Sequence, residues 1–167
     1  MLRLSGRTQK YIVYGVELFL VYIIQFTPSL LPAFFGERPM LLTVCAVSIA
    51  LLEGDMVGMW FGMAAGLLFD AGSTAPFGFY ALVNLSICYG CGLLVMYLMR
   101  NNIVTSVLLG FAATVLASVA QWLFLSGSSD FLYFIVHILL PRAVYSTATM
   151  PAFFYFNRAI TTRLYDD

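Results

Sequence analysis

The chain has 167 residues, 62% hydrophobic and 10% charged, with a mean hydropathy of +0.93. Ordinary globular chains run at roughly 45–50% and 25%, so a soluble fold of this size cannot hide so much apolar surface behind so few charges. Eight Lys and Arg balance eight Asp and Glu, which removes the case for nucleic acid or a strongly charged partner. Three cysteines, Cys45, Cys88 and Cys91, are too few for a disulfide framework.

In chain order, a polar start carries Arg3, Arg7 and Lys10, and an apolar run follows over 11–27. Without a small-x-small cleavage site, and with further apolar segments behind it, this run reads as a retained helix rather than a signal peptide. Pro28, Pro32, Gly36, Glu37, Arg38 and Pro39 make the first loop. Residues 40–69 are apolar except at Glu53-Gly54-Asp55. A spanning helix needs about 20 apolar residues and two acids at mid-bilayer are costly, so a hairpin of 40–52 and 56–69 is expected. Three more helices follow over 78–99, 103–125 and 131–156, the last bent or broken at Pro141 and Pro151.

Six helices with the amino terminus inside put Arg3, Arg7, Lys10, Arg100, Arg158 and Arg163 on the cytoplasmic face and only Arg38 outside. That is the asymmetry the positive-inside rule asks for. The expected fold is therefore an all-α, compact six-helix transmembrane bundle, a single domain over 1–167 with both termini cytoplasmic.

Helix three carries Gly54, Gly58, Gly62 and Gly66 at intervals of four, and Asp70 extends the line. Residues four apart share a helical face, so the glycines form a groove along which another helix can come close. Spacing alone does not say whether that helix is internal or a partner's; internal packing is the plainer expectation. Helix five repeats the device with Ser106, Gly110, Thr114 and Ser118, and helix four sets Tyr80, Asn84 and Cys88 on one face. An intramembrane asparagine such as Asn84 is expected to hydrogen-bond across helices.

Glu17, Asp70, His137 and Arg142 lie in or near the apolar segments, where an ionisable group is a functional candidate by default. The plain readings are that Glu17 snorkels to the cytoplasmic face, Asp70 is a turn residue and His137 is a satisfied core histidine. Arg142, after Pro141, needs a partner; Glu17 and a carbonyl freed by the proline are the candidates. Cys88-Tyr89-Gly90-Cys91 has the C-x-x-C spacing, but mid-helix burial disfavours the thiolate that redox chemistry needs. Metal binding by those cysteines with His137 lacks a fourth ligand and a polar second shell. Gly127-Ser128-Ser129-Asp130 reads as a turn, not a serine nucleophile. No enzyme, cofactor or metal is expected.

The segment Gly62-Met63-Ala64-Ala65-Gly66-Leu67-Leu68-Phe69-Asp70, followed by Pro76-Phe77-Gly78 and a helix containing Tyr89-Gly90, resembles MreD, the bacterial rod shape-determining membrane protein family. The resemblance implies a non-catalytic component of the cell-elongation machinery in the bacterial cytoplasmic (inner) membrane. It implies partners too: the bitopic protein MreC, and through it the MreB filament and the RodA glycosyltransferase with its transpeptidase. It also implies a fold similar to the substrate-binding subunits of energy-coupling-factor transporters. Gly62, Gly66, Asp70 and Gly78 are the matching positions, and helix packing is their implied role; Gly58, Asn84 and Arg142 join them as candidate packing or partner-binding residues. The acidic turn at Glu53 and Asp55 departs from the family pattern. The alternative is a vitamin-binding transporter subunit, which needs an outward polar cavity and a first helix with small residues four apart. Residues 11–27 hold only Gly15 and no alanine, so that stripe is missing.

Overall fold

The computed structural model describes residues 6–27, 39–73, 76–97, 102–125 and 131–165. Arg3, Arg38 and Arg100, Thr74 and the turn at 126–130 lie outside them. The described chain is all helical: α1 (Gly6–Phe26), α2 (Leu41–Glu53), α3 (Asp55–Gly72), α4 (Phe79–Tyr97), α5 (Ile103–Leu125) and a last helix, α6, in three consecutive pieces. These pieces are Phe131–Phe134, a π turn over Ile135–Leu139, and Leu140–Tyr165.

The helix ends differ most from the apolar runs in two places. α1 begins at Gly6 rather than residue 11, and α6 continues to Tyr165 rather than 156. In both, polar residues prolong the backbone ladder past the point where hydropathy falls, since a helix and its apolar stretch need not share a limit. Pro151 sits within continuous helix. At Pro141 the helix instead loosens beforehand: the Leu140 N–H bonds the Ile135 carbonyl, five residues back. A wider turn makes room for the proline ring, which in a regular helix collides with the carbonyl four residues earlier.

The centre of the bundle is α2. Every residue from Leu41 to Leu51 is buried, and α1, α3, α4, α5 and α6 all pack around it. A helix apolar all round needs such a sheath. At 1.5 Å per residue its 13 residues span about 20 Å, short of a bilayer's hydrocarbon core. One residue, Gly54, joins α2 to α3 at φ +92, a conformation that side chains resist.

The outer helices carry the opposite pattern. α1 buries Tyr14, Glu17, Leu18, Val21 and Gln25 and exposes Ile12, Val16, Phe19, Leu20, Ile23 and Ile24. α4 and α5 expose Leu82, Met96, Val104, Leu116, Leu123 and Phe124. Apolar surface this extensive belongs against lipid or another protein. By length and hydropathy α4 and α5 each qualify as a membrane span. The bundle is that of a helical membrane protein.

Candidate functional site

Two constructions stand out: a glycine seam between α3 and α4, and a polar tract among α1, α2 and α6. The stripe on α3 faces α4 within the same chain. A Cβ added at Gly66 would stand 2.3 Å from the Tyr80 carbonyl oxygen and 2.4 Å from the Ala81 Cα. At Gly62 it would meet Cys88 Cβ at 2.7 Å and the Asn84 carbonyl oxygen at 2.8 Å. At Gly58 the neighbour is Ala50 Cβ of α2, at 2.4 Å. α4 reciprocates with Gly92, where a Cβ would meet the Asp55 backbone at 2.6 Å. The seam is thus backbone against backbone, the close approach that stabilises helix pairs where no hydrophobic effect operates.

Asp70 closes the seam. Its Oδ2 accepts from the Gly78 and Ala81 N–H groups at 2.9 and 3.1 Å, and its Oδ1 from the Tyr80 N–H at 3.0 Å. The first N–H groups of any helix lack intrahelical partners, and a carboxylate there also complements the helix dipole. Gly78, at φ +98, makes the turn that aims these N–H groups at the carboxylate. Asp70 is therefore the cap of the next helix, more than a turn residue. Asp70→Ala should lower stability by about 3 kcal/mol, because several charge-assisted bonds go at once; Asp70→Asn, which keeps one acceptor oxygen, should lose less. Thermal unfolding of the two variants in detergent checks the order.

The polar tract starts at the end of the bundle where α1 begins. Lys10 Nζ lies 2.8 Å from Glu53 Oε1, both side chains almost buried. The Tyr14 hydroxyl donates to the same oxygen at 3.0 Å and lies 2.7 Å from Thr161 Oγ1 of α6. Glu53 of the acidic turn is therefore neutralised from α1. Deeper in, Ser48 donates to the Cys45 carbonyl at 2.8 Å, Asn157 Nδ2 donates to Ser48 Oγ, and the Glu17 carboxyl adjoins Cys45 and Asn157. Glu17 points into the bundle and does not snorkel, since it shares the buried face of α1 with Tyr14 and Leu18.

Other expectations are also corrected. Arg142 bonds Gln121 Oε1 of α5 at 2.7 Å, a partner that the charge pattern did not single out. The Asn84 amide has no hydrogen-bond partner among the described residues, because the α3 face opposite offers glycines. His137 is exposed on the π turn and stacked on Tyr133 at 4.5 Å, not held in the core. Cys45, Cys88 and Cys91 are free, buried thiols, and Cys88 is a wall of the glycine seam. Among the described residues no cluster of His, Cys, Asp and Glu could hold a metal ion.

Reading the sequence by segment missed Lys10, Tyr14, Ser48, Asn157 and Thr161. The available signal was the spacing of Lys10, Tyr14 and Glu17, which puts three polar groups on one helical face.

Two open features remain. An apolar groove of about 650 Å³ runs between α4 and α5, lined by large residues that include Leu82, Leu94 and Leu116 and by the small residues Ser86, Gly90 and Ala113. A cavity of about 300 Å³ at the opposite end from Lys10 is bordered by Gln25, Tyr80, Gln121 and Arg142.

Set against known proteins, residues 7–160 match a family model, rod shape-determining protein MreD. No curated protein and no solved structure matches the chain.

Proposed function

The chain belongs to the MreD family and so has a role in rod-shape determination; from that premise we propose that it is the membrane scaffold of the elongation complex and holds an MreC-like bitopic protein by its single helix. The match over residues 7–160 carries this reading. Both termini are cytoplasmic in it, with the Lys10–Glu53 end at the inner face of the bacterial cytoplasmic membrane. MreB, RodA and its transpeptidase are reached through the assembled complex, and the chain performs no catalysis of its own. The likeness to the substrate-binding subunits of energy-coupling-factor transporters belongs to this proposal as a likeness of shape.

The α4–α5 groove is the surface we assign to the partner helix. The small residues in its lining, Ser86, Gly90 and Ala113, let a backbone come close, as helix association in lipid requires. A Cβ at Gly90 meets nothing within 4 Å, so this position can be changed without disturbing the bundle.

The test is purification of the tagged full chain from its native membrane in mild detergent, followed by mass spectrometry of what accompanies it. Wild type should bring an MreC-like protein, and Gly90→Phe, which fills the groove, should recover at least tenfold less of it with unchanged yield of folded chain. Equal recovery from both would remove the groove from the proposal. A transport ATPase pair or a stoichiometric vitamin in place of the bitopic protein would overturn the scaffold reading.

A further inference from the structure

Glu17 poses a problem that the scaffold role does not address. It is 6% exposed, and neither of its carboxyl oxygens has a hydrogen-bond partner among the described residues. No described cation stands against it: Lys10 is committed to Glu53, Arg142 lies on Gln121, and Arg158 is exposed. A bare carboxylate so placed costs far more than its surroundings return.

The neighbours define the problem further. Ser48 has a single hydroxyl hydrogen and gives it to the Cys45 carbonyl, so towards Asn157 it can offer only a lone pair. That fixes the Asn157 amide with Nδ2 towards Ser48. Asn157 Oδ1 therefore points elsewhere, and it too is buried without a donor. The amide adjoins Glu17, as does the Cys45 thiol of α2, a weak donor. α3 contributes an aromatic neighbour, Phe61, packed edge-on against Tyr14. Three acceptor oxygens are thus gathered where α1, α2 and α6 meet, against two donors, the Cys45 S–H and the second hydrogen of Asn157 Nδ2.

We propose that Glu17 is a proton-binding site, its carboxyl group carrying a hydrogen that it donates to Asn157 Oδ1 and so latching α1 to α6 beside α2. One added proton supplies the third donor and removes the uncompensated charge; the other carboxyl oxygen is left to the Cys45 S–H and the second Asn157 Nδ2 hydrogen. No bond between heavy atoms forms or breaks. This site is independent of the partner groove, and its failure would leave the scaffold reading as it stands.

The experiment is infrared spectroscopy of the full chain in lipid nanodiscs at neutral pH, comparing wild type with Glu17→Gln. The expected result is a protonated-carboxyl C=O band that shifts in D2O and is absent from Glu17→Gln, a neutral isostere suited to the same cradle. Glutamate labelled with carboxyl ¹³C identifies the band without altering the site, and Asn157→Leu should move it without abolishing it, which keeps the test valid if Glu17→Gln fails to fold. Absence of the band from wild type, or its persistence unchanged in Glu17→Gln, overturns the proposal. Stabilisation of wild type but not Glu17→Gln by sodium ions, with no band, would place a metal cation there and equally overturn it.

Discussion

Gly66→Ala should be among the most damaging single-methyl additions to this chain. The new Cβ would lie 2.3 Å from the Tyr80 carbonyl oxygen and 2.6 Å from the Ala81 nitrogen, which are backbone atoms without rotamers to yield. α3 and α4 must then move apart, and the Asp70 cap is strained with them, since it bonds the N–H groups of Tyr80 and Ala81. Overpacking of a close-packed interior costs typically 1–3 kcal/mol; a backbone clash coupled to a cap belongs at or above the upper figure, about 3 kcal/mol. Gly90→Ala on α4 is the control, because its Cβ meets nothing within 4 Å and alanine favours the helix. Thermal unfolding of both in the same detergent separates them: a large loss for Gly66→Ala, little or none for Gly90→Ala. Equal melting temperatures would mean that α3 and α4 do not touch as described.

Lys10→Met should be comparably severe, though it leaves the packing of the helices untouched. It strips the cation from Glu53, whose side chain is 7% exposed, and leaves it with the Tyr14 hydroxyl. Removing one member of a buried ion pair costs about 3–5 kcal/mol because the other charge remains. The pair as a whole is worth much less than that, so Lys10→Met with Glu53→Leu should recover most of the loss. A double-mutant cycle measured by denaturation in mixed micelles reads the coupling directly. Additive losses would show that the two side chains act separately.

The contrast between these two predictions bears on what could be read in the chain beforehand. The glycine seam was legible because its information is local: Gly58, Gly62, Gly66 and Asp70 at one spacing define a face of α3, whatever lies opposite, while Gly54, at the same spacing, is the joint to α2. The one-residue turn at Gly54 was legible for a related reason, since two acids beside a glycine do not sit comfortably in the middle of a span. The polar tract was not legible, because its members come from three helices separated by up to 147 positions, as with Tyr14 and Thr161. Hydropathy also spoke poorly for Glu17 and Arg142. A charge inside an apolar run announces that it needs a partner, but not which one, and Gln121 carries no more signal than any other glutamine. The overrun of α6 to Tyr165 was hidden because residues 157–165 are polar enough to look like a tail while remaining good helix.

The sheathing of α2 has a bearing on how the chain enters the membrane. A segment of 13 residues ending in an acid is a poor stop for the insertion machinery, which favours longer, uncharged helices. Left alone in lipid it would be too short to reach both surfaces and would leave Glu53 uncompensated. Both defects are cured only by neighbours, by α1 with Lys10 on one side and by α3 across Gly54 on the other. α2 should therefore enter as the first arm of a hairpin with α3, after α1 is in place. Truncation after α2 should leave that segment outside the bilayer, while truncation after α3 should carry both across the threshold together.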